Sequence, residues 1–98
     1  MSEEKVLVVD DEEVIRDVCS QILAAEGYEV ATAASGKQAM HMLSEVNYDA
    51  VVTDIMMPDM SGLELLEVLR STNLDVCMIV ITGLGTFDVI ICSGLMYH

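Results

Sequence analysis

The sequence predicts an α/β fold in which helices cover both faces of a parallel sheet. Three observations predict it. Short β-branched runs alternate with stretches whose apolar residues recur at helical spacing. The connections between them are brief, so the order β-α-β-α-β-α-β calls for parallel strands and right-handed crossovers. Aspartate or threonine closes several of the runs, at the strand ends where open α/β sheets gather their ligands. With 98 residues the chain is expected to form one domain, 1–98.

The elements follow in order. Lys5-Val6-Leu7-Val8-Val9 has no polar alternation and stops at two aspartates, so it reads as a strand buried on both faces. Glu12 to Glu26 carries Val14, Ile15, Val18, Cys19, Ile22 and Leu23 on one stripe, which predicts a helix facing a core. Glu12 and Glu13 suit the positive end of its dipole, and Gly27 suits its termination. Residues 28–32 read as a second strand. Ser35-Gly36-Lys37-Gln38 has capping-box spacing and opens a helix with Ala39, Met40, Leu43 and Val46 inward. Residues 49–53 read as the third strand. Ser61-Gly62-Leu63-Glu64 opens a third helix running to about Arg70, and Val76 to Ile81 forms the fourth strand. The doubly wound order 2-1-3-4 is the expected topology. Beyond Thr82 the pattern fades: residues 87–98 are apolar and β-branched, and periodicity leaves helix or strand open.

Composition excludes several classes. Seventeen acidic side chains against four basic give a net charge of −13. Phosphate backbones need a Lys/Arg surface, so nucleic acid is not an expected partner; a cation or a basic protein face is. The longest apolar run, Val76 to Ile81, is far too short to span a bilayer, so no membrane partner is expected. The acidic start differs from a signal peptide, and a cytoplasmic location is expected. Cys19, Cys77 and Cys92 lack metal-like spacing and read as reduced thiols. His41 reads as a surface or core-edge residue, and the eight methionines read as core filler.

The chemistry is expected at the strand ends. Asp10 and Asp11 close the first strand, Asp54 the third and Thr82 the fourth. In a parallel sheet these ends share one edge. Three carboxylates there repel one another and raise each other's pKa unless a cation joins them. Hard oxygen ligands suit Mg²⁺. A carboxylate beside such an ion is a candidate nucleophile toward phosphorus, giving an aspartyl phosphate. Thr82 is placed to donate a hydrogen bond to the new phosphoryl oxygens.

Three segments carry a resemblance. Val6-Leu7-Val8-Val9-Asp10-Asp11-Glu12, then Asp54-Ile55-Met56-Met57-Pro58-Asp59-Met60-Ser61-Gly62, then Ile81-Thr82-Gly83 resemble the signature segments of the response-regulator receiver family. The likeness is best over residues 5–85, leaving 86–98 as an atypical tail. It implies a flavodoxin-like fold and a Mg²⁺-dependent phosphoacceptor in a phosphorelay. Its partner would be a sensor histidine kinase or a phosphotransfer protein. It implies Asp54 as the phosphoacceptor and Thr82 as a switch hydroxyl. Metal ligands would be Asp11 and Asp54, with Asp10 assisting and the Met56 backbone carbonyl completing the set. Pro58 and Gly62 would shape the loop over the site. Any catalysis would be autophosphorylation from a phosphohistidine or a small phosphodonor, with no separate catalytic domain.

One departure bears on function. The family carries a lysine and an aromatic switch residue on a fifth strand. Here the cations are Lys5, Arg16, Lys37 and Arg70, and none follows Thr82. The usual fifth strand and last helix are therefore expected to be missing or replaced, as in a truncated receiver. That leaves a second reading, a receiver-like interaction module that does not switch. A phosphatase with an Asp nucleophile is a weaker reading, because such enzymes resemble Asp-x-Asp after the first strand. A flavin site is disfavoured because Asp10-Asp11-Glu12-Glu13 would repel its phosphate. The uncharged fourth strand, with no Pro to blunt it, is expected to be an open edge. Self-association into a homodimer is expected there, with the tail folding back along the edge as the alternative.

Overall fold

The computed structural model describes residues 4–54, 59, 64–65, 67–68, 76–81, 87–92 and 95–96, the residues from 80 onward as backbone. The elements are β1 (Lys5–Val9), α1 (Glu13–Ala25), β2 (Glu29–Ala33), α2 (Gly36–Glu45), β3 (Ala50–Asp54), β4 (Cys77–Ile81), β5 (Phe87–Cys92) and β6 (Leu95–Met96). Glu64, Leu65, Glu67 and Val68 are helical, where the third helix is expected. The sheet order is β2-β1-β3-β4-β5-β6. The β1–β2, β1–β3 and β3–β4 ladders are parallel, as the βαβ pattern requires.

Strand β1 lies at the middle of the parallel part, and Val6, Leu7, Val8 and Val9 are all buried. Its alternate residues feed two separate cores. Leu7 and Val9 pack with Val51, Met78, Leu65 and, from α2, Ala39 and Leu43. Val6 and Val8 pack with Val52, and Cys19 and Leu23 of α1 lie against them. Both faces of the strand are therefore covered, which is why its sequence is apolar throughout rather than alternating. The two sides are unequal. No residue of α1 is fully buried, and Val14 and Ile22 remain 70% and 60% exposed.

The helix ends explain the turns. After α1, the Tyr28 N–H donates to the Leu23 carbonyl and the Gly27 N–H to the Ala24 carbonyl. This is a Schellman motif, and it needs the left-handed backbone that Gly27 adopts at φ 97°. At the start of α2, Ser35 Oγ accepts from the Gln38 N–H at 3.1 Å. Gln38 Oε1 accepts in return from the Ala34 N–H at 2.8 Å, one residue short of the usual box partner.

One open expectation is decided and two change. The tail is strand: β5 runs antiparallel to β4, with a register irregularity between Val80 and Ile81, and β6 pairs antiparallel to β5. The expected open β4 edge is corrected accordingly, because β5 occupies it: the tail folds back along that edge, the alternative to pairing there with a second chain. A short link closes with far less entropy loss than a second chain, and the apolar tail supplies the strand. The outermost strand is β6, two residues long, and among the described residues it pairs with only Ile91 and Cys92 of β5. Third, the cysteines are not all thiols. Cys77 is disulfide-bonded, while Cys19 is free. The residue facing Cys77 across the β4–β5 ladder is Cys92. Sequence spacing held no sign of this, since only the antiparallel return of the tail sets that register.

Candidate functional site

Parallel pairing of β1 with β3 sets Val9 beside Thr53, so the next residues, Asp10 and Asp54, emerge side by side at the carboxyl edge. Asp11 follows Asp10 directly. One carboxylate oxygen from each of Asp10, Asp11 and Asp54 lies within 4.8 Å of the other two. Among the described residues this is the group of acidic, histidine or cysteine side chains close enough to hold a metal ion. The burial is graded: Asp10 is buried, Asp54 half-buried and Asp11 exposed. Ile81 is the register partner of Asp54, so Thr82 follows the position beside it. Thr82 itself, like Met56, Pro58 and Gly62, lies outside the described residues.

Asp10 is held from three directions. Its N–H donates to the Ala33 carbonyl at 3.1 Å, tying β1 to the end of β2. Its Oδ1 accepts from the Glu12 N–H at 2.9 Å. Its carbonyl accepts from Arg16 Nη1 at 2.7 Å, so the first turn of α1 clamps the loop. Burial pushes the Asp10 carboxyl above the ordinary carboxylate range. The Glu12 N–H opposes that rise, while the charges of Asp54 and Asp11 and a hydrogen bond to Asp11 add to it. A carboxylate that is costly to ionise beside two others is a donor set a divalent cation would relieve, so the residues fit such an ion.

Two contacts were not legible in sequence. Arg16 lies six residues beyond Asp10, and no local motif couples them. Asp59 reaches across the fold: its Oδ1 and Oδ2 accept from the Gly36 and Lys37 N–H groups at 3.2 and 3.0 Å. The Lys37 N–H chiefly holds this carboxyl below its ordinary range, against some desolvation. The Gly36 N–H and the Lys37 charge add to the lowering. His41 is exposed, and its Nε2 lies 2.5 Å from Glu45 Oε1 one turn on.

Comparison with known proteins places this arrangement in a family. Residues 6–93 match the response regulator receiver domain, and the chain belongs to that family. It is 40% identical over 77 residues to the response regulator SaeR of Staphylococcus aureus, covering 79% of this chain and 33% of that protein. The chain thus spans about a third of the length of this curated relative. It is similar to the response regulator protein TrrA of Thermotoga maritima, solved in complex with Mg(2+)-BeF. The TM-score is 0.77 at 42% identity, covering 81% of this chain and 69% of that one. A CheY-like receiver domain protein from Methanospirillum hungatei superposes with TM-score 0.80 at 36% identity, covering 84% of this chain and 66% of that one. The flavodoxin-like α/β fold with parallel order 2-1-3-4 agrees with these neighbours. No helix among the described residues is long and apolar enough to cross a membrane.

Proposed function

We propose that residues 1–98 act as one phosphoacceptor receiver unit, in which Asp54 takes a phosphoryl group from a phosphohistidine in a Mg²⁺-dependent reaction. The donor is a sensor histidine kinase or a phosphotransfer protein. The observation that carries the proposal is the meeting of three carboxylate oxygens within 4.8 Å at the carboxyl edge of the sheet. Family membership and the Mg(2+)-BeF complex of the Thermotoga relative support it.

Asp10, Asp11 and Asp54 would hold Mg²⁺ by their side chains, and family resemblance adds the Met56 backbone carbonyl. When bound, the ion offsets negative charge on the carboxylates and on the phosphoryl group. The remaining work falls to the chain. Arg16 and the Glu12 N–H fix Asp10, so the half-buried Asp54 keeps an oriented neighbour. One oxygen of Asp54 forms the new O–P bond as the N–P bond of the phosphohistidine breaks. The bonding pair returns to the imidazole nitrogen, which is left neutral or takes a proton from water. The Thr82 hydroxyl then donates to a phosphoryl oxygen.

Labelling with a small acyl phosphate tests this. Label should appear only with Mg²⁺, be removed by hydroxylamine as an acyl phosphate is, and be absent in Asp54→Ala. Label on His41 or a serine would defeat the proposal. Labelling is expected to be slow, because residues 83–98 contain no lysine or arginine to offset the phosphoryl charge. That same feature favours the second reading, an interaction module that keeps the fold without switching. A chain that binds Mg²⁺ and is never labelled would select it.

A further inference from the structure

The acid cluster is joined by a second route that does not run through the β1–β3 ladder. Asp10 donates its N–H to Ala33 at the end of β2. Two residues on, Ser35 caps α2, and the next two N–H groups of that helix, Gly36 and Lys37, donate to Asp59. From Asp59 the chain leads back through residues 55–58 to Asp54, whose carboxylate meets Asp10.

The capping chemistry shows that Asp59 is built into this path. The opening turn of a helix leaves its first N–H groups without intrahelical acceptors. Here Ser35 Oγ takes the Gln38 N–H, and the Ser35 carbonyl takes the Ala39 N–H. The Gly36 and Lys37 groups would remain, and both are met by one carboxylate 22 or 23 residues away. Charge-assisted bonds to a carboxylate are the stronger kind, and the positive end of the helix dipole adds to them. The local cap, Ser35, meets only the Gln38 N–H with its side chain. A carboxylate from the chain that leaves β3 also pins that chain.

We propose that Asp59 is a positioning residue for the acid cluster, anchoring on the N-terminus of α2 the chain that leaves β3 at Asp54. The inference rests on the reading of Asp10, Asp11 and Asp54 as a Mg²⁺ site. It makes the cation affinity of that site depend on a side chain that belongs to no ligand set. Removing an outer partner of a metal site typically lowers affinity about 10–100-fold, and the lower end fits a tether acting through backbone.

The test is a Mg²⁺ titration of the full chain, read by thermal shift and by amide NMR, for wild type, Asp59→Ala, Asp59→Asn and Lys37→Ala. Asp59→Ala should weaken Mg²⁺ about tenfold. Asp59→Asn keeps one acceptor oxygen and should recover part of that loss. Lys37→Ala keeps the backbone donor and should bind as wild type. Faster hydrogen exchange at Gly36 and Lys37 in Asp59→Ala should accompany the loss. A purely structural cap would lower stability and leave the Mg²⁺ affinity of the folded protein unchanged. That result, or full affinity in Asp59→Ala, overturns the proposal. Acyl phosphate labelling keeps the two readings apart. Wild type that stays unlabelled while Asp59→Ala still loses Mg²⁺ affinity overturns the phosphoacceptor reading and supports the tether. Normal labelling with unchanged Mg²⁺ affinity in Asp59→Ala does the reverse.

Discussion

Replacing Asp54 with asparagine should make the metal-free protein more stable while destroying its response to Mg²⁺. The carboxylate oxygens of Asp10, Asp11 and Asp54 lie within 4.8 Å of one another, and the substitution removes two of the three repulsive pairs without changing shape. At that separation one pair repels by about 3.5 kcal/mol at an effective dielectric of 20, and by about 0.9 kcal/mol in a water-like one. Asp10 is buried and Asp54 half-buried, so their pair falls between these limits. The exposed Asp11 contributes near the lower one. The Asp10 carboxyl reports the same order, since the Asp54 charge raises it more than the Asp11 charge does. The unfolded chain separates these groups, so the repulsion is a cost of the folded state alone. A gain of roughly 2–4 kcal/mol is expected in EDTA. For a domain of this size each kcal/mol raises Tm by about 4–8 °C. The assay is thermal unfolding in EDTA and in excess Mg²⁺ at low ionic strength. Wild type should gain stability with Mg²⁺ by mass action, and Asp54→Asn should gain little. An Asp54→Asn protein no more stable than wild type in EDTA, or one with the full Mg²⁺ shift, would refute the reasoning.

Four further outcomes are expected. Leu7→Ala should cost about 2–5 kcal/mol by denaturant unfolding, because Leu7 is fully buried on the central strand. Ile22→Gln on the exposed side of α1 should stay within about 0.5 kcal/mol, and a core-sized loss there would show the stripe to be covered in solution. Acidification should release Asp59. Its folded pKa lies below the ordinary value, so its contribution is complete above that value and lost as pH falls through the lowered one. The Gly36 and Lys37 amide shifts should follow that window, and a midpoint at or above the ordinary value would contradict it. Peptide mapping of air-oxidised, unreduced protein should link Cys77 to Cys92 and find Cys19 alkylated only after denaturation or slowly. Burial raises the Cys19 thiol pKa and keeps it protonated, and a bond to Cys19 would overturn the assignment.

The sequence by itself determined the parallel part of the fold and the acidic edge. A β-branched run such as Val6 to Val9 admits a strand covered on both faces, and residues after parallel neighbours must emerge together, so Asp10, Asp11 and Asp54 were legible as a group. Ser35 and Gln38 announced the start of α2 because capping is local chemistry. Element ends shifted by a residue, as at Ala33 and Asp54, because ladder partners rather than local preference decide where a strand stops. Only the tertiary structure decided the rest. The segment Phe87–Cys92 is equally apolar as helix or strand, and the open edge of β4, with its unpaired N–H and carbonyl groups, made it strand. The same return set Cys92 opposite Cys77. Arg16 on the Asp10 carbonyl and Asp59 on the Gly36 and Lys37 N–H groups join backbone atoms whose closeness no spacing encodes. Hydrogen bonds from side chain to distant backbone carry no periodicity, so they become visible only when packing has brought the partners together.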